Sequence, residues 1–304
     1  MVDGRNTVIG SARRPTPTEG GPPAVAAELV AALARAAGAA GLETSQLAGA
    51  GVGSPGIVDS AAGTVASAGN LPGWEGSFAL GPALASELGT AVIIGNDVTV
   101  ATEAEFKLGS GRPYRSLLGV FWGTGVGGGL ILGGKAWLGR GAAGEIGHTV
   151  VKIGGARCPC GRSGCLEAYA GRGSMEARAR KQADQGRRTD LFKLMKERKR
   201  TRLTSGVWAK AIEREDKLAI EIVDTALDAL GAGVASAINL LDIEAVVIGG
   251  GLGVRFGQPY ADRIAARMQP HLFIDERPPA VHVAGLGDLG GAIGAALLAR
   301  RAVG

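Results

Sequence analysis

The sequence predicts an α/β protein on two observations. Short apolar, strand-like runs alternate with stretches of helical periodicity. Several of those runs also end in glycine-rich or polar turns, where open α/β sheets gather their ligands. At 304 residues the chain is longer than one core usually takes, so two domains are expected. In order, Val8-Ile9-Gly10 reads as a short strand, and a helix follows over 24–37 with Val25, Leu29 and Leu33 at helical spacing. Residues 49–53 form a small-residue strand running into the turn Ser54-Pro55-Gly56. The run 91–94 is a buried strand ending in Gly95-Asn96-Asp97. Another, 117–122, ends in GTGVGGG, residues 123–129. The segment 174–214 is helical and strongly charged, a surface subdomain. An amphipathic helix then covers 217–239, with Ile220, Val223, Leu227, Leu230 and Val234 on one face. The strand 245–248 ends in Gly249-Gly250-Gly251, and a final helix spans 292–301 after Gly285-Leu286-Gly287-Asp288.

Composition removes several classes. Hydrophobic residues at 46% with 20% charged exclude disorder. Glycine, 52 residues, is enriched well beyond the usual ~7%. It has no Gly-X-Y period, so collagen is excluded and tight turns or backbone approaches to a ligand remain. There is no apolar run of ~18 residues to span a membrane, and residues 1–6 lack the apolar core of a signal peptide. A soluble, cytoplasmic chain without a membrane partner is expected. The net charge of +5 is mild, and much of it sits in 172–202. Phe192 is the one aromatic there, so the stacking platforms of a single-strand binder are missing. That stretch reads as a solvated helical face, and no nucleic-acid partner is expected.

The most specific feature is the block from Glu145 to Glu167. It runs Glu145-Ile146-Gly147-His148, nine residues, Cys158-Pro159-Cys160-Gly161, then Cys165-Leu166-Glu167. The three cysteines fall within eight residues, a poor disulfide framework and a good metal-ligand set. One imidazole and three thiolates complete a tetrahedral set for zinc, and with no open position the site would be structural. Gly161 and Gly164 would let the chain turn tightly enough to gather the sulfurs. The alternative is three buried free thiols near a satisfied histidine. GTGVGGG offers backbone N–H groups that can reach phosphate oxygens without Cβ atoms in the way, plus the Thr124 hydroxyl; a plain hinge or bulge is the other reading. Gly249-Gly250-Gly251 has the same logic for a base or ribose and is less specific.

The Cys/His block closely resembles the zinc signature of the ROK family (repressors, open reading frames and kinases), which includes bacterial glucokinases and other sugar kinases. The similarity continues through residues 51–59, Asn70-Leu71-Pro72-Gly73-Trp74, Gly95-Asn96-Asp97, GTGVGGG and 246–253, in the family's order over essentially the whole chain. The resemblance implies the actin-like ATPase fold: two ribonuclease-H-like α/β lobes closing on a cleft. Residues 1–113 with 290–304 would form the first lobe and 114–289 the second. It implies ATP-dependent phosphorylation of a hexose, glucose at its 6-hydroxyl first, with Mg2+ travelling with the nucleotide and lobe closure excluding water. Asp97 would be the general base, although a turn or cap aspartate is a common alternative. Asn70, Asn96, Glu145, His148 and Glu167 would grip the sugar. His148, Cys158, Cys160 and Cys165 would hold Zn2+, the metal fixing the tautomer and aim of His148. Gly123, Thr124, Gly125 and Gly127 would contact phosphates, and Gly249, Gly250 and Gly251 the adenosine. A homodimer is a family expectation.

The family's first strand ordinarily ends in a DxGGT phosphate motif and leads into a hairpin. Here Asp3-Gly4 matches the turn after that hairpin's first two strands, and 8–17 the next strand and its exit. Asp288-Leu289-Gly290-Gly291 is a superficial echo at another family position. The absent strand would be central to its sheet, so its loss should cost stability as well as nucleotide contacts. Either the natural chain starts further upstream, or phosphoryl transfer is lost or weakened. Asn96-Asp97-Val98-Thr99 departs from the family's usual Ala-Asn after the aspartate and affects only local packing. The alternative function is a non-catalytic sugar sensor acting through a protein partner; the helix-turn-helix that family repressors carry ahead of the sugar domain is not present. Mannose, fructose, allose or an N-acetylhexosamine could replace glucose, and polyphosphate could replace ATP.

Overall fold

The computed structural model describes residues 1–69, 71 and 73–303. It divides into two compact units: Met1–Lys107 with Leu138–Ala143 and Asp288–Gly304, and Leu108–Trp137 with Gly144–Gly287.

In the first unit, helix α1 (Gly21–Gly38) opens with Pro22 and Pro23, whose fixed φ suits a first helical turn. Its Val25, Leu29 and Leu33 pack into a core with Val52, Leu84 and Ile94. Strand β1 (Ala50–Ser54) is followed by an antiparallel ribbon of β2 (Ile57–Asp59), β3 (Thr64–Ala66) and β4 (Ser77–Phe78), then α2 (Leu80–Leu88), β5 (Val92–Asn96) and α3 (Asp97–Leu108). β1 and β5 pair in parallel, Ala50 opposite Val92 through Ser54 opposite Asn96. The C-terminal helix (Gly290–Val303) packs on both strands. It crosses β1 so closely that a Cβ on Gly51 would lie 1.8 Å from the Ala295 carbonyl oxygen, so only glycine fits there.

The strand expected at Val8-Ile9-Gly10 does not form. Among the described residues, Val8 makes a single antiparallel bridge to Val2, because no further strand there lies alongside to extend the ladder, and β1 pairs with β5 alone. Residues 49–53 instead line a cavity of ≈ 640 Å³, walled by residues 1–12, α1 and the C-terminal helix through Val8, Ile9, Leu29, Leu33, Val52 and Leu297.

The second unit is built on a five-stranded mixed sheet of order β10-β9-β6-β7-β8. β6 (Leu117–Trp122), β7 (Val126–Leu132) and β8 (Lys135–Ala136) form an antiparallel meander. Then come helices α4 (Glu167–Ala170), α5 (Arg172–Asp184), α6 (Leu191–Glu197), α7 (Ser205–Glu213) and α8 (Lys217–Leu241). β9 (Ala245–Gly249), α9 (Gly250–Phe256), α10 (Gln258–Met268) and β10 (Ala280–Val283) complete the unit. β9 runs parallel to both β6 and β10 and is buried along its whole length, which explains its unbroken apolar sequence. α8 is buried on a wider arc than one face: Ile222 is buried and Ile220 only half so, because α4, α5, α7 and α10 all pack against it. The charged segment 174–214 buries Met175, Leu191, Leu194, Leu203, Val207 and Trp208, and its helices α5 and α7 pack against α8. Among the described residues, no helix is long and apolar enough to cross a membrane.

Candidate functional site

The Cys/His block folds into a knuckle. Short antiparallel bridges join Arg157 to Ser163 and Val150 to Cys165, and Gly161 and Gly164 both turn through positive φ, +88° and +84°. At Gly164 a Cβ would lie 1.9 Å from the Lys152 carbonyl oxygen, so the turn excludes any other residue. The result gathers one ligand atom from each of His148, Cys158, Cys160 and Cys165 within 4.8 Å of one another. Cys160 Sγ lies 3.8 Å from Cys165 Sγ, and His148 Nδ1 3.9 Å from Cys158 Sγ. Those are the edges of a tetrahedron with metal–sulfur bonds of about 2.3 Å, the zinc value, so the donor set fits that ion. Burial pushes the Cys158 thiol up to about 12, while the Arg162 backbone N–H draws the Cys160 thiol down to about 6. A central cation is what would allow all three to ionise together.

His148 points both ways. With Nδ1 toward the thiols, its Nε2 faces Glu145 at 3.9 Å. The 3₁₀ turn Ile146–His148 packs on β7. Glu167, which opens α4, has its Oε1 3.9 Å from Cys158 Sγ. Its Oε2 accepts the Val126 N–H at 2.8 Å, so this carboxylate links the knuckle to the glycine turn after β6.

That turn has a specific pattern of used and open groups. The Gly123 carbonyl accepts from Arg172 N–H at 3.1 Å, the Thr124 carbonyl from Gly173 N–H at 3.0 Å, and the Gly125 carbonyl from Gly123 N–H at 3.0 Å. The Thr124 and Gly125 N–H groups have no hydrogen-bond acceptor among the described residues. All three acceptors are tied back and two donors are left open, beside the Thr124 hydroxyl. This is a cradle for an anion. Gly127 lies in β7, paired with Phe121, and not in the turn. At the neighbouring parallel strand, Gly250 has φ +78° and a Cβ there would meet the Trp122 carbonyl oxygen at 2.5 Å. The close packing of β9 on β6 therefore accounts for that glycine.

Asn96 and Asp97 lie in the other unit, at the end of β5. The Asn96 Oδ1 accepts from Val98 N–H at 3.1 Å and Thr99 N–H at 3.0 Å, capping α3 and leaving its amide nitrogen as the free donor. Asp97 Oδ1 accepts from Val98 N–H at 2.9 Å. Burial raises the Asp97 carboxyl above its ordinary range, against the opposing pull of that backbone N–H. Asn70 lies outside the described residues.

The chain matches the ROK family over residues 1–302. It belongs to that family. It is similar to a glucokinase of Halalkalibacterium halodurans, 36% identical over 210 residues, a match covering 68% of this chain and 62% of the relative's length. An N-acetylgalactosamine kinase of Shewanella sp. is 36% identical over 228 residues, covering 71% of this chain and 67% of that one. Among solved structures, the ROK family glucokinase of Streptomyces griseus in complex with glucose and AMPPNP superposes with a TM-score of 0.81 at 29% identity, covering 99% of this chain and 94% of that chain. The fold of this ROK protein is accordingly the actin-like ATPase fold.

Two contacts escape sequence reading. Glu167 reads as a sugar ligand, yet it also holds the Val126 N–H. Arg172 reads as the start of a solvated basic run, yet its Nη2 donates to Thr124 Oγ1 at 2.8 Å. Arg172 and Thr124 are 48 positions apart, and nothing local in the sequence announces the pairing.

Proposed function

We propose that this ROK protein is an ATP-dependent hexose kinase, with glucose and its 6-hydroxyl as the first acceptor to try. The observation that carries the reading is the turn after β6, with its carbonyls tied back and the Thr124 and Gly125 N–H groups open. Open N–H groups on a glycine turn suit phosphate oxygens. The similarity to a glucokinase structure holding glucose and AMPPNP supports it. In this reading Asp97 accepts the proton of the sugar hydroxyl as that oxygen bonds to the terminal phosphorus and the bond to the departing ADP breaks. Asn70, Asn96, Glu145, His148 and Glu167 position the sugar, and Gly123, Thr124 and Gly125 the phosphates. Gly249, Gly250 and Gly251 take the adenosine side. Magnesium bound with the nucleotide supplies charge neutralisation at the phosphates. Zinc held by His148, Cys158, Cys160 and Cys165 is structural, since the protein fills all four positions.

The test is ADP release from ATP and magnesium with glucose, beside N-acetylgalactosamine, N-acetylglucosamine, mannose, fructose and allose, with Asp97→Asn as control. Turnover that the substitution abolishes supports the reading and names the sugar. The same assay reads the other outcome, sugar binding without phosphoryl transfer. Glucose binding by folded protein with no ADP release on any sugar would establish that one instead.

A further inference from the structure

We propose that Arg172 is a phosphate-binding residue: its guanidinium contacts the terminal phosphate oxygens of the donor together with the Thr124 hydroxyl and the open N–H groups of Thr124 and Gly125. This assignment rests on the reading of that turn as the donor site. Arg172 is tied to the turn twice, through its own backbone N–H to the Gly123 carbonyl and through Nη2 to Thr124 Oγ1 at 2.8 Å. The first bond fixes where the side chain starts, and the second brings its head to the cradle.

The guanidinium is incompletely satisfied where it lies. It has five N–H donors, and the Thr124 hydroxyl is its one side-chain partner among the described residues. Glu176, one turn further along α5, attracts the Arg172 charge, but its two oxygens are bonded to Arg180 and to the Leu203 N–H. Burial, then the like charge of Arg202, disfavours its charged form, against the opposing pull of Glu176. A half-buried guanidinium bonded to a neutral hydroxyl, on a turn with two open N–H groups, has donors to spare for an anion, and the planar fork of arginine matches phosphate oxygens.

The experiment measures equilibrium binding of magnesium-ATP and of adenosine to the wild-type chain, Arg172→Met, Arg172→Lys, Thr124→Val and the Arg172→Met/Thr124→Val double variant. A charge-assisted hydrogen bond is worth ~1.5–3 kcal/mol. Arg172→Met is therefore expected to weaken ATP on the order of tenfold to a hundredfold and to leave adenosine unchanged, with Arg172→Lys between. Unchanged adenosine binding also reports that the variant is folded. If Arg172 acted only by orienting Thr124, its removal from the Thr124→Val background would have no effect; direct contact requires that it still weaken ATP. Equal losses for ATP and adenosine, or no loss, would overturn the role of Arg172 and leave the donor site standing. Wild-type protein that binds ATP no tighter than adenosine would overturn the donor-site reading, and this assignment with it.

Discussion

Each unit contains a parallel strand pair that ends in a turn with chemical interest, and the two pairs differ in what flanks them. In the second unit, β6 and β9 sit inside a five-stranded sheet, and the β9 residues Ala245, Val246, Val247 and Ile248 are 0–1% exposed. In the first, β1 and β5 form a two-stranded pair among the described residues, and β1 lines a cavity of ≈ 640 Å³. The local signature is the same in both, a short apolar run stopped by glycine or a polar turn. Local sequence therefore sets the strand and its turn, whereas rigidity comes from neighbours contributed by distant segments. The turn after β6 has two of its carbonyls, those of Gly123 and Thr124, fixed by α5; Asp97, after β5, lines the cavity.

The largest expected effect is metal removal in the second unit. Metal binding is worth ~10–16 kcal/mol in zinc-finger peptides, and here it would offset the mutual repulsion of three thiolates. Elemental analysis is expected to give one zinc per chain, and chelation or Cys165→Ser to speed amide exchange through 148–167. Protein purified without metal that keeps this segment protected would remove the metal from the account of the second unit. Next is Asp97→Asn in the first unit, expected to lower turnover by about 10²–10⁴ while raising stability at neutral pH. The sign follows from the raised carboxyl: its contribution to folding is fully present below the unfolded value and is lost as pH rises through the folded one. The ionised form therefore works against the fold at neutral pH, and the gain from Asn shrinks toward acid. The same shift moves the acid limb of the pH–rate profile above the ordinary carboxylate range. A limb at the ordinary position, or a less stable Asn variant at neutral pH, would contradict the burial of Asp97.

Much of this was legible in the residues. The strand 117–122 and the Cys/His spacing are local features, and they appear where periodicity and ligand chemistry put them. What escaped depends on distance in the chain. The strand at Val8 needed a neighbour to pair with, which a propensity reading takes for granted. The tie of Glu167 to Val126 spans 41 positions and leaves no local trace. Gly250 was read for adenosine contact when the nearness of Trp122 already demands it; close packing and ligand approach select the same residue for the same steric reason.

The smallest effect sharpens the comparison most directly, because it asks whether the cavity beside β1 weakens its unit. Ala32 on α1 lines that cavity, and leucine costs a helix almost nothing relative to alanine. Ala32→Leu places three more carbons in space already open, so it gains apolar transfer energy without displacing a neighbour. A cavity-filling change of this kind is worth ~0.5–2 kcal/mol, or a rise of roughly 4 °C in Tm for each kcal/mol in a unit of this size. Ala37 lies five residues along the same helix, is fully buried at 0% exposure and does not border the cavity. Leucine there has no room and is expected to destabilise by about 1–3 kcal/mol through overpacking. Opposite signs at the two alanines, with slower amide exchange in β1 for Ala32→Leu alone, would tie the stability of the first unit to the cavity beside β1. A loss at both would mean that the space beside β1 is closed in solution and that the two strand pairs are alike after all.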